Sequence, residues 1–87
     1  MDFEYDPIKS ASNLLKHGID FDQAQVLWDD PWVLEAPAKT SDEPRFLTIG
    51  KIEDKHWAAI WPPRGDALRI ISVRRARQEE IEFYESN

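Results

Sequence analysis

The chain contains no cysteine. Disulfides and thiolate zinc sites are therefore excluded, and an intracellular, cytoplasmic protein is the simple expectation. No apolar run approaches the length of a membrane span, so no membrane role is expected. The opening Met1-Asp2-Phe3-Glu4 lacks the basic segment of a signal peptide. Histidine is scarce. His17 and His56 with scattered aspartates give no metal-ligand spacing, so neither a metal nor another cofactor is expected. There is no glycine-rich phosphate loop and no serine nucleophile elbow. A net positive charge is also missing. At −6 the chain argues against broad nonspecific duplex binding, although a local anion site or a basic partner remains compatible.

What is present is enough apolar mass for one small core. Hydrophobic residues make up 41% of 87 residues, with four Trp and four Phe, so residues 1–87 read as a single folded domain. The charge is uneven. Residues 1–43 carry −7, residues 44–77 carry +5, and residues 78–87 hold four acids and no base. A basic block thus lies between two acidic segments.

Phe3-Glu4-Tyr5 alternates as a short first strand. Asp6-Pro7 starts a helix, with Asp6 as N-cap and Pro7 at the first helical position. Ile8, Ala11, Leu14 and Leu15 form one apolar stripe, and Gly18 is the left-handed stop. A second helix follows, with Asp20 and Gln23 spaced as a capping box, Phe21, Ala24, Leu27 and Trp28 as its buried face, and Asp29-Asp30-Pro31 as its end. Trp32 to Glu35 reads as a short strand and Ala36 to Pro44 as a loop. Arg45 to Ile52 and His56 to Trp61 read as strands about a Glu53-Asp54-Lys55 turn. Pro62 to Asp66 is a tight connection, Leu68 to Val73 or Arg74 the last strand, and Ala76 to about Ser86 a helix anchored by Ile81 and by Tyr84 or Phe83. Strands with turn-length links are antiparallel neighbours. The expected fold is a small α+β domain, in which an antiparallel sheet of three to four strands, plus the short N-terminal strand, is covered on one face by the two early helices, and a third helix closes the chain.

The run Leu68 to Arg77 concentrates arginine at one strand end. Candidates for an anion site are Arg45, Arg64, Arg69, Arg74, Arg75 and Arg77, because guanidinium binds phosphate bidentately and stays charged. Strand alternation limits them. Without a bulge, Arg69 and Arg74 face opposite ways. The ordinary alternative is surface pairing with Asp66, Glu79, Glu80 or Glu82. His17 is a candidate general base or acid, and Lys16 beside it a cation for phosphate, although the helix dipole alone favours both residues there. His56 reads as an exposed turn residue. Trp57 and Trp61 share a strand face and read as core before they read as a base-stacking platform.

Taken in order, several segments resemble the BrnT family, the toxin half of a type II toxin–antitoxin pair. They are Phe3-Glu4-Tyr5-Asp6-Pro7, Asn13-Leu14-Leu15-Lys16-His17-Gly18-Ile19-Asp20-Phe21, Trp28-Asp29-Asp30-Pro31, Arg45-Phe46 through Ile49-Gly50, Arg64-Gly65-Asp66, and Arg69-Ile70-Ile71-Ser72 with Arg74. Glu79 and Tyr84 fit its last helix. The resemblance implies a RelE-like fold and a metal-independent ribonuclease that cleaves RNA and inhibits translation. It implies neutralisation by a BrnA-type ribbon-helix-helix antitoxin, with operator DNA reached only through that antitoxin. It also implies a site built from Lys16, His17, Arg45, Arg64, Arg69 and Arg74. Trp61-Pro62-Pro63 departs from the family, many of whose members carry His or another polar residue near Trp61, and Arg75 and Arg77 fall where the family varies. That departure and the acidic total leave a second reading, a catalytically inactive module that still binds the antitoxin.

Overall fold

A computed structural model of the chain describes residues 2–39 and 42–86. Its elements run β1 (Asp2–Glu4), α1 (Pro7–His17), a 3₁₀ helix (Gln23–Asp29), β2 (Leu34–Ala38), β3 (Arg45–Ile52), β4 (Lys55–Trp61), β5 (Pro63–Arg64), β6 (Ala67–Arg69), β7 (Ser72–Arg75) and α2 (Gln78–Glu85). Four strands form an antiparallel sheet in the order β2-β3-β4-β7, and three form a smaller one, β1-β6-β5, in which β1 and β6 are parallel. The α+β class holds among the described residues.

The helix signals act as the chemistry requires. Asp6 Oδ1 accepts from the Ile8 N–H at 2.9 Å, Pro7 opens α1, and Gly18 ends it at φ 80 with its N–H donating to the Leu14 carbonyl. The Asp20–Gln23 capping box forms in both directions, at 2.7 and 3.0 Å. The helix after it winds as 3₁₀ and not as the expected α-helix. Its buried residues Ala24 and Leu27, with Phe21 in the turn just before it, recur every three residues, the period at which side chains eclipse in a 3₁₀ helix. Gly50 of β3 lets this helix approach, since a Cβ there would lie 3.1 Å from Leu27 Cδ2.

Four expectations change. First, the apolar stripe of α1 faces solvent. Ile8 is 80% and Leu15 89% exposed, and the helix docks instead through Ser10 and Asn13. Ser10 Oγ accepts from the Phe21 N–H at 2.9 Å. The Asn13 carboxamide donates to the Ile19 and Val73 carbonyls, both at 2.8 Å, and accepts from the Val73 N–H at 3.2 Å. Fixed hydrogen bonds to β7 thus decide which side of α1 is buried, and hydrophobic periodicity does not. Second, the strand expected at Trp32 to Glu35 is Leu34–Ala38, so it takes in residues assigned to the loop. Pro37 is tolerated because β2 has a neighbour on one side only. Residues 40 and 41 of that loop lie outside the described residues. Third, α2 begins at Gln78, two residues later than expected, and buries Tyr84 while Phe83 stays 52% exposed.

Fourth, the last strand is broken. The backbone pairing of β4 with β7 is carried on by Ile71 N–H to the Ile60 carbonyl and Arg69 N–H to the Pro62 carbonyl, and then by β5 with β6. Five residues, Leu68 to Ser72, oppose four, Ile60 to Pro63, so one residue is extra. Leu68, Ile70 and Val73 consequently all enter the core, at 3, 1 and 0% exposure. That core joins Ile19, Phe21, Ala24 and Leu27 to Trp57, Ala59 and Trp61. Both tryptophans are core residues: Trp61 donates to Thr48 Oγ1 at 2.7 Å and stacks on Phe46, and the Arg75 guanidinium lies over Trp57.

Candidate functional site

The extra residue resets the strand parity on which the arginines depend. With Leu68, Ile70 and Val73 facing inward, Arg69 and Arg74 both face away from the core. The other two follow from register. Arg64 lies opposite Ala67, which shares its face with Arg69, so Arg64 points outward as well. In β3 the core takes Phe46 and the buried Thr48, which leaves Arg45, Leu47 and Ile49 on the outer face; Ile49 is opposite Ala58, itself opposite Arg74. Arg45, Arg64, Arg69 and Arg74 therefore share the outer face of one curled sheet, around half-buried Leu47 and Ile60. They do not meet in a single pocket. Arg45 and Arg74 are two strands and four residues apart, roughly 16 Å at standard sheet spacings. The surface is a track longer than one phosphate.

Lys16 and His17 are brought together at its margin. Both are exposed in the last turn of α1 and line a shallow cavity of about 190 Å³ with Lys9, Asn13, Ile71 and Ser72. Ile71 and Ser72 lie between Arg69 and Arg74, so the helix end stands beside the arginine track. Asn13 holds it there. Asn13 belongs to the motif that runs to Phe21, and the only signal of its task in the sequence is an asparagine three residues before Lys16, away from the Ile8, Ala11 and Leu15 stripe.

Three of the four arginines already have carboxylate partners. Arg74 makes a two-pronged pair with Glu80, Nη1 to Oε1 at 2.8 Å and Nη2 to Oε2 at 2.9 Å. Arg69 lies 3.6 Å from Glu4, and Arg45 lies 3.9 Å from Glu43. Arg64 is exposed and has no ion-pair partner among the described residues. The Arg74–Glu80 pair fits the expected pairing with the last helix, and the Arg45 and Arg69 partners were not foreseen. The Arg45 Nε is buried with no hydrogen-bond acceptor.

Glu80 belongs to α2, which covers the other end of the outer face. The hydrogen bonds from Arg74 outweigh partial burial and hold the Glu80 carboxyl below its ordinary range, and the same contact raises the Arg74 guanidinium. At the far end of α2, burial and then the hydrogen bond to Asp30, 2.6 Å long, push the Tyr84 phenol up to about 12. Burial pushes Asp30 up, but hydrogen bonds from Tyr84 and from the Trp32 and Lys51 amides outweigh it, so Asp30 ends below its ordinary value. His56, read from sequence as an exposed turn residue, is half-buried; its Nε2 meets Glu85 Oε2 at 2.7 Å and its ring packs edge-on against Tyr84.

A depressed carboxyl stabilises the fold above its unfolded pKa, and that contribution is lost as the pH falls through its lower folded value. The thermal midpoint should therefore drop between about pH 5 and pH 3. Glu80→Gln should lower the midpoint at pH 7, at a cost of about 1 kcal/mol, and flatten the acid limb. Melting curves followed by circular dichroism across that range check it. A variant whose acid limb matches the wild type would remove Glu80 from the account.

Among the described residues no group of three or more His, Cys, Asp or Glu side chains could hold a metal ion. No helix among the described residues is long and apolar enough to cross a membrane. Compared with known proteins, residues 5–80 match the model of a family described as the ribonuclease toxin, BrnT, of a type II toxin–antitoxin system. No curated protein matches the chain.

Proposed function

Because the chain belongs to the BrnT family of type II toxin–antitoxin ribonuclease toxins, we propose that it is an endoribonuclease that needs no metal ion, inhibits translation by cleaving RNA, has a RelE-like fold and is silenced by a BrnA-type ribbon-helix-helix antitoxin. Membership itself implies an antitoxin partner and a ribonuclease. The observation that supports the finer reading is the row Arg45, Arg64, Arg69 and Arg74 on one sheet face, with Lys16 and His17 at its margin.

The chemistry asks for little more. A base removes the proton of the ribose 2′-hydroxyl, and the 2′-oxygen bonds to phosphorus as the bond to the 5′-oxygen breaks. An acid returns a proton to that leaving oxygen. The products are a 2′,3′-cyclic phosphate and a 5′-hydroxyl. His17 serves as base or acid, and Lys16 with the nearest arginines stabilises the charge that grows on the pentavalent phosphorus. The remaining arginines hold flanking phosphates and set the register of the strand. RNA must displace Glu80 from Arg74 and Glu4 from Arg69 for those two to take part.

Incubating the purified chain with RNA in the presence of a chelator tests this directly. Cleavage to cyclic-phosphate ends, blocked when the 2′-hydroxyl at the cut site is replaced by hydrogen, is the expected result. Intact RNA together with tight antitoxin binding would favour the second reading, an inactive partner-binding module. That reading has its own observation, the carboxylates already seated on three of the arginines.

A further inference from the structure

The proposed site leaves one side of α1 without a task. Ile8 and Leu15 are 80 and 89% exposed and Leu14 is 43% exposed. At 100° per residue, Ile8, Ala11 and Leu15 share one stripe, across the helix from the buried Ser10 and Asn13. Large apolar side chains aligned this way and open to water mark a surface that another macromolecule covers. The charge beside them says what kind. Lys9, Ser12 and Lys16 form the neighbouring stripe, on the side of α1 that borders the cavity at Ile71 and Ser72. The helix holds no Asp or Glu, and Lys9 and Lys16 are the only lysines before Lys39 in an otherwise acidic half of the chain. Neither has an ion-pair partner among the described residues.

We propose that α1 is the docking surface for the antitoxin, and that the segment it takes is an amphipathic helix whose apolar ridge covers Ile8, Ala11 and Leu15 and whose flanking carboxylates reach Lys9 and Lys16. This rests on the antitoxin implied by family membership. The eleven-residue α1 is about 16 Å long, enough for three turns of a partner helix. Docking at this place explains silencing by geometry. The apolar stripe gives the hold, and the acidic flank comes to rest over Lys16 beside His17, where RNA phosphate would otherwise sit.

The test uses the purified full chain and the purified protein encoded by the adjoining reading frame, titrated by calorimetry. Ile8→Gln with Leu15→Gln should weaken binding about 30-fold or more while the melting temperature and RNA cleavage of the free chain stay as in wild type. Lys9→Glu should weaken it about tenfold at low salt, with the difference shrinking as salt is added. Undiminished binding by the double variant overturns the proposal. So does light scattering that finds the free chain dimeric and the double variant monomeric with antitoxin binding intact, since the stripe would then join two copies. No binding by the wild type removes the antitoxin reading as well, whereas normal binding without RNA cleavage leaves the docking surface standing and removes the ribonuclease reading alone.

Discussion

Asn13→Leu should lower the unfolding free energy by about 3 kcal/mol and the thermal midpoint by about 15 °C. The replacement is close in volume, so packing changes little. What changes is that the Ile19 carbonyl and both backbone groups of Val73 lose their partner at a site where Asn13 is 7% exposed. Each unmet buried group costs about 1 to 3 kcal/mol, and water entering from the cavity beside α1 recovers part of it. Asn13→Asp should be as damaging, because a carboxylate accepts from the Val73 N–H but faces two carbonyl oxygens with no proton to give. Ser10→Ala leaves only the Phe21 N–H unmet and should cost about 1 kcal/mol. Urea and thermal unfolding measure all three. An Asn13→Leu midpoint close to wild type would mean that α1 is held by something other than this side chain.

His17→Ala should reduce RNA cleavage about 100-fold or more and leave stability nearly unchanged, since the ring is exposed at the end of α1. The control is His56→Ala, the only other histidine in the chain. His56 is tied to Glu85 and Tyr84 and should cost stability while cleavage persists in the folded fraction. Arg64→Ala gives a third pattern. With no carboxylate partner among the described residues, Arg64 is open to phosphate, and its loss should raise KM several-fold with kcat held. Single-turnover cleavage of a labelled RNA separates these effects. Equal losses from His17→Ala and His56→Ala would point to general destabilisation and remove His17 from the chemistry.

Much of this molecule can be read from residue patterns, and the failures share a cause. The caps at Asp6, Gly18 and Asp20 are local chemistry, complete within a few residues, and they form as expected. So does β3, and β4 differs only in starting one residue earlier, at Lys55, because alternation and a charged turn mark both strands. The side of α1 that is buried could not be read, because Asn13 is fixed by a residue sixty positions away in the sequence. The 3₁₀ winding was hidden because Phe21, Ala24, Leu27 and Trp28 suit either helix. The arginine face turned on one extra residue between Leu68 and Ser72, and alternation predicts a face only while the count is unbroken. Strand parity was the correct rule for Arg69 and Arg74; the bulge that reverses its outcome leaves no composition signal in Ile70-Ile71. The partners of Arg45, Arg69 and Arg74 lie in three different places, the loop before β3, β1 and α2, which is why a charge count alone placed a basic block without saying that Glu43, Glu4 and Glu80 are already seated on it.

The bonds from Asn13 to Val73 also bear on how the protein behaves in a crowded cell. A sheet whose outermost strand shows bare amides and carbonyls recruits strands from other chains, the first step towards aggregates. At β7 the side chain of Asn13 occupies the N–H and carbonyl of Val73, and at β2, the opposite margin, Pro37 breaks the row of donors. A toxin without its antitoxin must stay dispersed while nothing shields it. Losing Asn13 would therefore do more than loosen α1: it would open a seam along which copies of the chain could join, so that aggregation rather than misfired catalysis would be the first visible fault.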